Sequence, residues 1–268
     1  MDGDLRGKSV IVTGASSGIG KCVALRFAQR GAKLTLVARH REGLDDVAKE
    51  THNSIADIAI EPVDVTDRAA VQRMVERAEK RWGGVDIVVA AAGQYVRVHG
   101  RKVTIGDVER SMDVNFYGAV NVFLAVLPGM LHRASGRLIA ISSVDGKKGL
   151  PFDAPYVAAK FAVTGFMDSM RQDLRGSGVA LTTVLPGRVD TPMIGTLMVP
   201  WVSRKISPER VADVVERSLV SNKPEIIVPL LGPKLLLWAA ALSSRFADGL
   251  IRLFRLEGTV TAQSHVSK

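Results

Sequence analysis

Cysteine is nearly missing from this chain: Cys22 is the only one in 268 residues. One thiol cannot form an internal disulfide, and the simpler reading is a protein of a reducing, cytoplasmic compartment, with Cys22 a small buried side chain on a helix. Acidic residues are also in short supply. Against 36 Lys and Arg stand 27 Asp and Glu, a formal charge of +9, which attracts phosphate-bearing ligands, nucleic acid or an anionic membrane without choosing among them. Aromatics amount to 5 %, and no basic strip interleaved with aromatic side chains stands out, so nucleic acid is not the expected partner. The opening Met1-Asp2-Gly3-Asp4-Leu5-Arg6-Gly7 is polar and acidic, where a secretory signal is basic and then apolar. No linker, repeat or metal-ligand constellation is found.

What is present suffices for one large globular domain. Hydrophobic residues make up 47 % and charged residues 24 %, ordinary values for a chain with a sizeable core. Apolar runs alternate with helical periodicity. Strands are predicted at 9–13, 34–38, 58–65, 85–92, 136–142, 179–185 and 225–228. Helices are predicted over 19–31, 42–53, 67–82, 104–130, 154–175 and 207–222, the last opening on Ser207-Pro208-Glu209, a cap followed by proline at the first helical position. Strands apolar throughout, alternating with helices, indicate an α/β fold: a doubly wound, Rossmann-type parallel sheet covered by helices on both faces.

Three stretches carry chemistry. Thr13-Gly14-Ala15-Ser16-Ser17-Gly18-Ile19-Gly20 joins the first strand to the first helix, where glycines let backbone amides and a helix N-terminus approach a pyrophosphate. Its spacing is not GxGxxG, and standing alone it could be only a turn. In Tyr156-Val157-Ala158-Ala159-Lys160 the phenol and ammonium lie four residues apart on one helix face. A fixed cation is one of few means of bringing a tyrosine from ~10 toward working pH as an acid–base group; a lone pair of this kind is more often a solvated face. Ser143 lies thirteen residues before Tyr156, with Ser142 beside it.

The joint occurrence of TGASSGIG, this serine and YVAAK resembles the short-chain dehydrogenase/reductase family over about residues 7–229. The resemblance implies a catalytic domain over 1–229, with 230–268 as a helical extension and tail. It makes Tyr156 the proton donor to a carbonyl oxygen, Lys160 the residue that holds the ribose and lowers the tyrosine pKa, and Ser143, rather than Ser142, the group orienting the same oxygen. Asn115 matches the family asparagine that holds a water in a proton relay. For the cofactor it implicates Gly14, Ser16, Ser17, Gly18, Ile19 and Gly20 at the pyrophosphate, and Asp64 and Val65 at the adenine. Ala92 and Gly93 follow strand four, and in Pro186-Gly187-Arg188-Val189-Asp190-Thr191 the Val189 backbone and Thr191 would hold the carboxamide. The family's usual NNAG is here Ala90-Ala91-Ala92-Gly93, so an amide that braces the central strands is missing. Ala38 stands where NAD-preferring relatives carry an acid, and Arg39 follows, able to clamp a 2′-phosphate. NADP(H) is therefore the expected carrier, with NAD(H) less favoured; the competing reading of Arg39 is a solvated basic turn.

The implied function is interconversion of a ketone or aldehyde with an alcohol. A dehydratase or epimerase is the second enzymatic reading, and a non-catalytic dinucleotide-binding sensor or scaffold the reading from another class. Residues 193–202 are rich in apolar side chains and fall where the family has its substrate loop, which suggests a lipophilic substrate unless they only pack on the core. Lys234 to Leu256 reads as one basic amphipathic helix, its charges within an arc of roughly 80° at 100° per residue. It is expected either to meet a membrane interface or to pack against a partner subunit or over the active site. A homo-oligomer, dimer or tetramer, is the expected assembly.

Overall fold

Strand β1 (Ser9–Thr13) shows why the strands read as unbroken apolar runs. Val10 and Val12 join one hydrophobic cluster and Ile11 the other, on opposite sides of the sheet, and all three are fully buried. A strand covered on both faces has no polar side to display. In the computed structural model, which describes residues 5–51, 56–221 and 223–260, β1 pairs in parallel with β2 (Lys33–Ala38), and β2 with β3 (Asp57–Pro62). On its other side β1 pairs with β4 (Ile87–Ala90), followed by β5 (Gly136–Ile141), β6 (Val179–Pro186) and an outer strand at Glu225–Val228. The order 3-2-1-4-5-6 plus this outer strand is a doubly wound sheet whose sequence direction reverses between β1 and β4.

Helices α1 (Gly18–Gln29) and α2 (Arg41–Glu50) cover one face, burying Phe27 and Leu44. On the other lie α3 (Arg68–Trp82), the pair α4 (Ile105–Met112) and α5 (Gly118–His132), and α6 (Ala154–Asp173). Their ends follow local chemistry. Asp67 accepts from the Ala70 amide at 2.9 Å at the start of α3, and Gly83, at φ 81°, ends it. Thr104 and Asp107 form a reciprocal capping box on α4. α7 (Pro208–Ser218) starts from the Ser207 cap and returns to the first face beside α1.

Several boundaries differ from expectation. β3 and β4 stop at Pro62 and Ala90, where their pairing with β2 and β1 ends; beyond them Val63 and Val65 stay buried in the core and Ala91 lines a crevice. The helix expected over 104–130 is wound as a π-turn at Asp113–Tyr117 between α4 and α5. Ile105–His132 is long and apolar enough to cross a membrane by length and composition, but Val122, Phe123, Val126 and Met130 bury its face against the sheet. The ends expected at Asn53 and Asn222, and the tail 261–268, lie outside the described residues.

The largest correction concerns the extension. Instead of one helix over 234–256 there are two, separated by Ser243. With β7 (Leu197–Met198) in the substrate loop and β8 as the outer strand Glu225–Val228, the chain continues through α8 (Leu231–Leu242), α9 (Ser244–Leu253) and β9 (Thr259–Val260). Ser243 is extended, and its hydroxyl accepts from the Phe246 amide at 3.3 Å. Paired serines serve better as caps than as helix interior, so the chain breaks there. The break resets the helical phase, and the five charges do not share one arc: Asp248 turns to Lys148 of the core at 2.8 Å. β9 then pairs antiparallel with β7, fastening the extension across the mouth of the crevice.

Candidate active site

The crevice opens at the carboxyl ends of β1 and β4, where strand order reverses. The glycine-rich turn forms its floor by steric necessity. Gly14 has φ 67°, and a Cβ there would stand 2.8 Å from the Ala91 carbonyl; a Cβ on Gly20 would stand 2.2 Å from the Gly14 carbonyl. Only bare backbone lets α1 come this close to the end of β1. Ser16 and Ser17 lead into α1, and Ser17 is its extended N-cap with no side-chain cap bond, leaving the first-turn amides to face an anion. Gly18 lies against Thr191, whose Cγ2 would be 3.0 Å from an added Cβ, and Ile19 lines the cavity beyond.

The other expected cofactor residues lie at or just beyond the carboxyl ends of the strands. Arg39 is exposed immediately after β2 and makes no ion pair among the described residues, whereas Arg41 is paired with Asp45 at 3.4 Å. Asp64 is held by the Thr66 amide and hydroxyl at 2.9 and 2.8 Å, and the carbonyl of buried Val65 accepts from Asn121 at 3.0 Å. Pro186 ends β6, the Gly187 amide donates to Val228 at 2.6 Å, and Val189 is bridged to Ile206. The brace expected to be missing at Ala90-Ala91-Ala92-Gly93 is made differently: Thr13 Oγ1 accepts from the Ala91 and Ala92 amides at 3.2 and 3.1 Å, tying β1 to β4. A cradle bare at Gly14, Gly18 and Gly20, a helix N-terminus and a guanidinium beyond β2 with no ion pair among the described residues fit a phosphorylated dinucleotide.

A cavity of about 580 Å³ adjoins the crevice, with Ser143, Tyr156 and Lys160 in its wall. The two serines at the end of β5 separate cleanly. Ser142 is turned inward, bonded to the Lys160 carbonyl at 3.2 Å and to Thr164 Oγ1 at 2.9 Å. Ser143 Oγ accepts from the Asp145 amide at 3.1 Å and donates to the Pro186 carbonyl at 3.4 Å, with Tyr156 in the same cavity wall. Asn115 sits in the π-turn, its amide group donating to the carbonyls of Gln94 and Ser111 at 2.8 and 2.9 Å while its oxygen accepts from the Gln94 amide at 3.2 Å. Gly93 packs against that oxygen. π-turns recur at functional positions, and here the wider turn accommodates an asparagine that ties the preceding helical turn to the segment after β4.

The electrostatics depart from expectation at the tyrosine. The phenol of Tyr156 is pushed up, not down: burial is the main cause and the nearby Asp145 carboxylate adds to it, outweighing the neighbouring Ser143 hydroxyl. Lys160 stands 5.5 Å from the phenol ring centroid and donates to the Ile141 carbonyl at 3.0 Å. Burial brings its own ammonium down to about 8. Burial thus favours the neutral phenol at Tyr156.

Several residues of the site were not expected from sequence. Tyr95 packs edge-on against Tyr156, centroids 5.1 Å apart, and donates to Asp153 at 2.7 Å. Arg97 bonds the same carboxylate oxygen at 2.8 Å and, with its other nitrogen, the Glu257 carbonyl at 2.8 Å. Arg188, within the Pro186–Thr191 segment, donates to Ser203 Oγ at 2.8 Å and to the Leu256 carbonyl. Asp145 lines the cavity, its carboxyl raised to about 7 by burial and by Asp153. No local spacing signals these groups, since their partners lie on distant segments. The remaining wall is apolar and comes from both the substrate loop and the extension: Ile194, Leu197 and Trp201 face Leu236, Leu250 and Phe254.

Known proteins resemble this chain in sequence and fold. Residues 8–198 match the model of the short chain dehydrogenase family. An uncharacterized oxidoreductase of Staphylococcus saprophyticus is 36 % identical over 215 residues, covering 78 % of this chain and 90 % of the relative. Glycine betaine reductase ATRR of Emericella nidulans is 35 % identical over 220 residues, 82 % of this chain, although the match spans only 17 % of that protein. Among solved structures, a substituted actinorhodin polyketide ketoreductase with NADPH superposes with a TM-score of 0.74 at 28 % identity, covering 82 % of this chain and 95 % of that one. Sheet order, glycine cradle and family match together establish that this chain belongs to the short-chain dehydrogenase/reductase family of oxidoreductases.

Proposed function

We propose that the protein is an NADP(H)-dependent oxidoreductase that interconverts a lipophilic ketone or aldehyde with its alcohol, Tyr156 serving as the general acid and base. The observation that carries this reading is the meeting of Ser143, Tyr156 and Lys160 in the wall of an apolar cavity that opens onto the glycine cradle. The nicotinamide, when bound, supplies or accepts the hydride. Everything else is the work of the chain. As a carbonyl becomes an alcohol its oxygen gains negative charge, and hydroxyls of Ser143 and Tyr156 directed at that oxygen stabilise the transition state more than the ground state. Tyr156 gives up its proton, and its raised pKa keeps that proton in place until charge develops. Lys160 takes part from the cofactor side, with Asn115 behind it. Arg39, with no acidic partner among the described residues, supplies the guanidinium for a 2′-phosphate, and the likeness to a ketoreductase described with NADPH supports that choice. The cavity walls, Leu197, Trp201, Leu236 and Phe254 among them, favour a greasy substrate.

A panel of lipid, steroid and aromatic carbonyls assayed with NADPH and NADH tests the proposal. Tyr156→Phe is expected to lower kcat by about 10²–10⁴-fold with little change in NADPH affinity by fluorescence titration, since only the transferable proton is lost. Arg39→Asp is expected to narrow or reverse the ratio of kcat/KM for NADPH over NADH. Equal values for the two carriers in the wild-type protein would refute the cofactor assignment. NADPH binding without turnover on any carbonyl or alcohol would instead identify a dinucleotide-binding sensor or scaffold.

A further inference from the structure

The outer face of α8 is apolar where a helix facing water is polar. Leu231, Leu235, Trp238 and Leu242 recur at three- and four-residue spacing, 70 % to 83 % exposed, while Leu236 and Ala240 on the opposite side are partly buried. Both faces of this helix are therefore apolar, and the fold uses only one of them. Across the Ser243 break α9 continues the exposed surface with Phe246 and Leu253, 56 % and 73 % exposed. The patch does not end at the helices. Leu235, Phe254 and Trp201 are exposed and also line the cavity, so the apolar surface is the lip of the substrate site.

We propose that the protein docks on an anionic membrane through this surface, with α8, α9 and the Trp201 loop in the interface and the cavity mouth turned to the lipid. The proposal rests on the reading of a lipophilic substrate and adds where that substrate comes from: the acyl layer. Charge selects the membrane. Within the described extension Lys234, Arg245, Arg252 and Arg255 are exposed cations, and Arg204 stands beside the loop. Of the two acids there, Asp248 is neutralised by Lys148 at 2.8 Å and Glu257 is partly buried. Apolar side chains ringed by cations match an acyl layer beneath a plane of phosphates. A second copy packed on the same face would block the mouth, whereas a fluid bilayer covers the apolar surface and delivers substrate through it.

The test uses the full-length protein, co-sedimented with vesicles of phosphatidylcholine plus phosphatidylglycerol and with vesicles of phosphatidylcholine alone. Binding at least about tenfold stronger to the anionic vesicles is expected, weakening as salt is raised. The double variant Trp238→Glu, Leu242→Glu changes two outward side chains outside the cavity wall; it is expected to stay in the supernatant while keeping its turnover of a water-soluble aldehyde. If the double variant misfolds, quenching of wild-type tryptophan fluorescence by brominated phosphatidylglycerol reads the same contact. Failure of the wild type to bind anionic vesicles, equal binding by the variant, or a drop in oligomer size of the variant without vesicles would overturn docking. An active enzyme that ignores vesicles refutes docking alone; a vesicle-binding protein that reduces no carbonyl refutes the oxidoreductase reading alone.

Discussion

Asp145 concentrates the electrostatics of the site in one side chain. Burial and Asp153 raise its carboxyl to about 7, with Arg188 and Lys160 pulling the other way. Between the ordinary carboxylate value of ~3.9 and about 7 the folded protein binds more protons than the unfolded chain, so this group removes stability as pH rises through that window. Asp145→Asn, which cannot ionise, is therefore expected to raise Tm at about pH 8 and to leave it nearly unchanged at about pH 4. An equal gain at both would mean the effect is packing. Because Asp145 also raises the Tyr156 phenol, the same variant is expected to move the pH profile of alcohol oxidation to lower pH. Cys22 behaves in the opposite sense to a reactive thiol: burial and Glu209, 3.4 Å from its sulfur, push it up to about 12. Alkylation by iodoacetamide at neutral pH should be slow in the folded protein and rapid after unfolding.

Two glycines show how an element's role follows from what surrounds it. Gly20 on α1 has the Gly14 carbonyl 2.2 Å from where a Cβ would stand, whereas Gly165 in α6 is exposed with nothing within 4 Å. Gly20→Ala must push α1 away from β1, and is expected to weaken NADPH binding by at least about tenfold, measured by titration, with a lower Tm. Gly165→Ala only restricts the unfolded chain and improves helix propensity, so about 0.5–1 kcal/mol of added stability is expected in urea unfolding. The helix over 104–130 carries a similar lesson. Its apolar spacing is continuous, but bonds from Asn115 to Gln94 and Ser111 go with a π-turn that no periodicity announces.

At the scale of the molecule, the extension is a structural part of the cavity that holds Ser143, Tyr156 and Lys160. Arg97 and Arg188 grip the carbonyls of Leu256, Glu257 and Gly258, Lys148 holds Asp248, and β9 pairs with β7 in the substrate loop. The Arg97–Asp153 pair at the base of this clasp is well buried, its side chains 14 % and 2 % exposed. Removing one member of such a pair typically costs about 3–5 kcal/mol, because the other charge is left behind. Arg97→Met is thus expected to destabilise the protein by that order in denaturant titration. Arg97→Met with Arg188→Met is expected to raise amide exchange across 254–260 more than across the sheet, and to raise KM for bulky substrates. Unchanged exchange in 254–260 would show that the β7–β9 pairing alone secures the extension.

What the sequence by itself determined is what short-range physics controls. Strand–helix alternation, apolar strands covered on both faces, the glycine cradle and the placing of Tyr156 and Lys160 on one helix each depend on sterics or spacing within about twenty residues. Only the tertiary structure decided the rest. Tyr95 meets Asp153 across 58 residues, Arg188 meets Leu256 across 68 and Arg97 meets Glu257 across 160. The direction of the Tyr156 shift turned on the same kind of fact: four-residue spacing brings an ammonium within reach, but burial of the phenol and the nearness of Asp145 outweigh it, and both arise only when the loop after β5 folds over α6. Burial is a property of the assembled chain, and no local pattern encodes it.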